Sequence, residues 1–89
     1  MKFLLVRQEV ADFEQWYSVF SSHTEAQRQA GLNNLQLLRD ASDPNIIVCL
    51  FEVDDIDSAR AFTQSPSASE AKVQSGVVGQ PEVFWLDEV

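Results

Sequence analysis

The sequence predicts an α+β fold: a four-stranded antiparallel sheet with helices on one face, all within one domain spanning 1–89. Three observations carry that prediction. Short apolar runs of strand length recur at Lys2–Gln8, Leu32–Asp40, Asn45–Val53 and Val83–Glu88. Segments with apolar residues at spacings of three and four separate the first run from the second and the third from the fourth, as amphipathic helices require. Between the second and third runs stands only "ASDPN", a cluster of turn formers that joins neighbouring antiparallel strands. The order is therefore β-α-β-β-α-β, the ferredoxin-like split unit.

The first strand contains Phe3-Leu4-Leu5-Val6 and is apolar on both faces. Asp12 is placed to cap the helix that follows, its carboxylate accepting from backbone N–H groups two or three positions on. Phe13, Trp16, Tyr17, Phe20 and Thr24 then form one helical stripe, with Glu14, Gln15, Ser18 and Ser21 largely opposite. The helix is expected to loosen at "SSH", because serines compete for backbone groups, to resume through "TEAQRQA", and to stop at Gly31.

In the second strand, simple alternation puts Leu35 and Leu37 on one face and Asn34, Gln36 and Leu38 on the other. Pro44, with Asp43 and Asn45, shapes the hairpin turn. The third strand, "NIIVCLFEV", sets Ile47, Cys49, Phe51 and Val53 against Ile46, Val48 and Leu50. Ile56, Ala59, Phe62 and Thr63 mark a helix capped within "DDID", and "SPSASEAKVQSG" marks a second short one. There Pro66 suits the first turn, and Ser67 with Glu70 has capping-box spacing. "VVGQPE" reads as a loop before the last strand, "VFWLDE".

Helices on one face leave the other face apolar along three strands, a larger exposed patch than soluble monomers tolerate. A homodimer pairing sheet against sheet is the expectation. Six Lys and Arg against fourteen Asp and Glu leave a formal charge of −8, a field that repels phosphate backbones and anionic lipid surfaces. Neither nucleic acid nor membrane is expected as a partner. The N-terminal apolar run is too short for a signal-peptide core, so the expected location is the cytoplasm. Cys49, the one cysteine, reads as a small buried hydrophobe, and neither it nor His23 has a partner at metal-ligand spacing. "GVVGQPE" lacks the spacing of a phosphate-cradling loop, and no cofactor motif is present.

His23 is the only histidine. It falls at the edge of the aromatic stripe, where it suits either a general acid–base or a boundary residue bonded to a backbone carbonyl. Arg7 and Arg39 are strand cations able to hold a ligand anion or to form structural ion pairs, Arg39 with Asp40 or Asp43. Trp16, Tyr17, Phe20, Phe62 and Trp85 either line a pocket for a planar or apolar ligand or simply fill the core.

Four stretches, "VADFEQWYSVF", "LRDASDPNIIVCLFEV", "ARAFTQSP" and "GVVGQPEVFWLDEV", resemble the dimeric α+β barrel superfamily over nearly the whole chain. Its small members include antibiotic-biosynthesis monooxygenases and cyclase-like proteins. The resemblance implies a dimer whose two sheets close a barrel, with a pocket in each subunit between sheet and helices. Haem-degrading members use a strand asparagine with a tryptophan and a haem-ligating histidine. The first strand here has Arg7 and Gln8 but no asparagine, so that set is not recognisable. Two functions stay open: a homodimer that binds a small apolar or aromatic metabolite, and a cofactor-independent monooxygenase or isomerase/cyclase-type enzyme using His23 as acid–base.

Overall fold

A computed structural model describes all residues from Met1 to Val89. The strands are β1 (Lys2–Val10), β2 (Leu32–Arg39), β3 (Ile46–Val53) and β4 (Val77–Asp87). Between them lie α1 (Phe13–Ser22), α2 (Thr24–Gln29), α3 (Ile56–Thr63) and α4 (Pro66–Gln74). The sheet order is β2-β3-β1-β4, with every neighbouring pair antiparallel. This is the ferredoxin-like α+β arrangement, with each helical arm broken into two segments.

The caps explain where the helices begin. Asp12 accepts from the Glu14 N–H, and Asp55 does the same for Asp57, so each satisfies a donor that the first turn leaves free. His23 separates α1 from α2, the break expected at "SSH". In α4 the cap is Ser65, whose hydroxyl accepts from Ala68 N–H with Pro66 in the first turn. The Ser67–Glu70 capping box therefore does not form, because the helix already starts at Pro66, two residues before a Ser67 cap would begin it. Gly31, at φ 84°, turns the chain out of α2 in a conformation that favours glycine.

Register decides which face of each strand meets the helices. Leu4 pairs with Phe51 and Trp85, and Val6 with Cys49 and Val83, so these residues share the helix side. Ile47, Cys49, Phe51 and Val53 are buried there, and Ile46, Val48 and Leu50 lie on the open side. Phe20 connects the layers, 4.9 Å from Trp16 in its own helix and 6.3 Å from Phe51 in the sheet. Only 10 of 89 residues are buried, because helices cover one face alone.

Two strands depart from simple alternation. In β2 the register shifts between Asn34 and Gln36, so Asn34 opposes Phe51 while Leu37 opposes Cys49. That bulge reverses the parity: Leu35 is 49% exposed, whereas Leu37 packs against the core. In β4 the expected loop "VVGQPE" is strand. It bulges where Arg7 pairs with Glu82 but Glu9 pairs with Val78, accommodated by Gly79 at φ 70°.

Candidate functional site

The helical arms α1–α2 and α3–α4 do not close completely over the sheet. A cleft of about 220 Å³ opens between them, floored by Leu4, Val6, Cys49 and Phe51 and walled by Phe20 and Phe62. Beside it lies a smaller hollow of about 130 Å³ lined by Trp16, Val19, His23 and Ser75. Gln8, Phe20, Gln27 and Ala68 belong to both, so the two spaces adjoin. The β4 bulge contributes: Pro81 lines the larger cleft, and Gln8 sits opposite the bulged residues with no β4 pairing partner. The floor is apolar, and the polar groups gather where the spaces meet.

His23 is fixed by its backbone surroundings. Its Nδ1 lies 2.9 Å from the Val19 carbonyl oxygen and 3.0 Å from Ser22 Oγ. A carbonyl only accepts, so Nδ1 carries a proton, and in the neutral ring the lone pair is then on Nε2. The bond makes His23 the boundary residue tied to a backbone carbonyl that its position in the sequence suggests. Cys49 is buried in the cleft floor, and desolvation pushes its thiol up to about 12. It is an unreactive wall at neutral pH.

Of the residues singled out in the sequence, Trp16, Phe20, Phe62 and His23 come together around the cleft and its adjoining hollow. The others stand apart. Tyr17 is 46% exposed and stacks on Phe13 at 5.7 Å, on the outside of α1. Trp85 packs against the core with Arg60 over its ring at 5.3 Å. Arg39 forms no ion pair with Asp40 or Asp43: its guanidinium lies 3.8 Å over the Phe13 ring and its Nε donates to the Pro44 carbonyl. Asp40 and Asp43 instead bond turn N–H groups, which keeps them in the hairpin. Arg7 projects from the open face and pairs with Glu82 at 2.7 Å.

Sequence reasoning overlooked Gln8 and Gln27. Gln27 follows His23 by four residues, so both fall on one helical face, and Gln8 is the polar member of the helix-side set Leu4, Val6 and Val10. Both signals were present, but they depend on knowing which strand parity faces the helices.

No family model matches the sequence, and no curated protein matches it. The fold does match solved structures closely. A candidate antibiotic biosynthesis monooxygenase from Bordetella bronchiseptica superposes with a TM-score of 0.81 at 15% identity, over 99% of this chain and 96% of that one. A candidate of the same kind from Caulobacter crescentus gives 0.75 at 19% identity, over 99% and 89%. SnoaB, a cofactor-independent oxygenase from Streptomyces nogalater, gives 0.71 at 20% identity, over 99% and 94%. The chain thus shares the ferredoxin-like α+β fold of these antibiotic-biosynthesis-monooxygenase-type structures.

Proposed function

We propose that this protein is a homodimeric barrel that binds a small apolar or aromatic molecule in the cleft between sheet and helices. The single observation behind the binding reading is the cleft itself. Its 220 Å³ and its aromatic walls suit one or two rings, below the usual range for drug-sized ligands. An apolar space somewhat smaller than this already holds a benzene-sized guest in other proteins. The dimer reading rests on the opposite face, where Phe3, Leu5, Val48, Leu50, Phe84 and Leu86 form an apolar surface with no covering element in the chain. A second copy set against it in isologous fashion removes that surface from water in both subunits at once.

A catalytic reading is favoured by one specific feature, the His23 ring, which lines the hollow adjoining the cleft and whose Nε2 bonds no protein group. In that position the imidazole can take a proton from an activated C–H or O–H of the bound molecule, leaving the electron pair on the ligand. The match in fold to a cofactor-independent oxygenase fits such chemistry, though many activities share a fold. Native mass spectrometry of freshly purified protein tests the proposal. A dimer carrying an additional small mass is expected, and a clean monomer would overturn it. With that ligand identified, His23→Ala should abolish any turnover while leaving the dimer mass unchanged; undiminished turnover would remove His23 as the base.

A further inference from the structure

The two glutamines at the junction of the hollows carry an inference that rests on the cleft being a binding site and goes beyond it. Gln8 and Gln27 come from different elements, β1 and α2, yet both line the larger cleft and the smaller hollow. Gln8 is half-buried opposite the β4 bulge, where the interruption in pairing leaves room above its side chain. Gln15 donates to the Gln74 carbonyl at 2.7 Å, Gln74 and Gln29 reach Glu70 and Glu25, and Gln80 accepts from Lys72, whereas Gln36 and Gln64 are exposed to water. The Gln8 and Gln27 carboxamides bond no protein group. They project two donors and an acceptor apiece into a space whose other walls are mainly apolar.

Charge sharpens the reading. None of the six cationic side chains lines the larger cleft. Lys2 pairs with Asp87, Arg7 with Glu82 and Arg28 with Glu25. Arg39 lies over Phe13 and Arg60 over Trp85. Lys72 lines the smaller hollow, but its Nζ donates to Gln80 Oε1 at 3.3 Å. An anion in the larger cleft would lose its hydration and meet no cationic side chain among the lining residues, at a large cost. A neutral hydroxyl or carbonyl would exchange water for the carboxamides at little or no cost.

We infer that Gln8 and Gln27 are the specificity residues of the cleft, reading a neutral hydrogen-bonding head on a small ring and rejecting the corresponding carboxylate. The ligand class is thus a neutral aromatic or alicyclic molecule with one polar head, its ring against Phe20 and Phe62. Each hydrogen bond to the head should tighten binding about fivefold over the headless ring.

Calorimetric titration of the whole protein with toluene, benzyl alcohol and benzoate tests this, since the three share a ring and differ in the head. Benzyl alcohol should bind at least about fivefold more tightly than toluene, and benzoate should not bind detectably. Gln8→Leu should erase the advantage of benzyl alcohol while toluene still binds. Gln8→Arg should admit benzoate. If the strand substitutions fail to fold, Gln27→Leu and Gln27→Arg on the α2 surface are expected to act in the same directions. Toluene bound as tightly as benzyl alcohol, or benzoate bound as well as either, would overturn the specificity assignment while leaving the cleft a binding site. No binding of any of the three would remove the cleft reading itself, and the inference with it.

Discussion

Phe84→Ala should dissociate the dimer without unfolding the subunit. Phe84 lies on the open face of the edge strand β4, paired with Leu5 of β1, and 44% of it is exposed in the single chain. An aromatic side chain presents about 200 Å², so roughly 90 Å² of that ring, from its 44% exposure, faces water when no partner covers it. At about 25 cal/mol per Å², covering it contributes about 2 kcal/mol. An isologous interface contains the ring twice, which brings the figure to about 4 kcal/mol and the expected weakening to two or three orders of magnitude in the dimer dissociation constant. Sedimentation velocity across a concentration series reads this directly. Tyr17→Ala is the control, because Tyr17 is similarly exposed, at 46%, but stacks on Phe13 away from the sheet. A dissociation constant within a factor of ten of the parent, or an equal effect of both substitutions, would refute the assignment of the open face to a partner.

Other consequences follow from the core and the charges. Ile47 is fully buried near the start of β3, so Ile47→Ala should lower unfolding free energy by about 2–5 kcal/mol in denaturant titration; a loss under 1 kcal/mol would mean that the core there is loosely packed. The Cys49 thiol, raised to about 12 in the folded chain, ionises near 8.5 when unfolded. The folded state then retains a proton that the unfolded state releases, so stability is complete below about pH 8.5 and declines as pH rises towards 12. Cys49→Val should flatten that alkaline decline, and an unchanged slope would contradict the burial of the thiol. Asp87 is held below the usual carboxylate range by its hydrogen bond to Lys2 and by that residue's charge. Its contribution is present above its unfolded pKa and is lost as pH falls through the lower folded value. Lys2→Met should make the acid limb of stability less steep, an effect kept small by full exposure of the carboxylate.

Most of the fold was legible because its signals are local. Asp12, the serines before His23, the "ASDPN" turn and the alternation in "NIIVCLFEV" each act within a few residues, and the structure uses each as expected. What local reading missed were the bulges. One extra residue in β2 sends Leu35 out and Leu37 in, and nothing in "LNNLQLLRD" marks the position because the cause is the pairing with β3. The β4 bulge likewise depends on pairing with β1, although Gly79 and Pro81 hinted at an irregularity. The site was half legible for the same reason. Phe20, Phe62 and His23 stand out by residue type, whereas Gln8 and Gln27 acquire meaning only from the parity of β1 and the approach of α2. Arg7 shows the converse: a cation attractive by type lies on the wrong side of the sheet for the cleft.

A bound ligand distinguishes the two faces of the sheet directly. The most direct measurement is of intermolecular NOEs between benzyl alcohol and the methyl groups of the protein, because alternate residues of β1 and β3 report opposite faces. The account predicts NOEs to Leu4 and Val6 on the helix side, with none to Leu5, Val48 or Leu50. NOEs confined to Leu5, Val48 and Leu50 would place the ligand on the open face and contradict it.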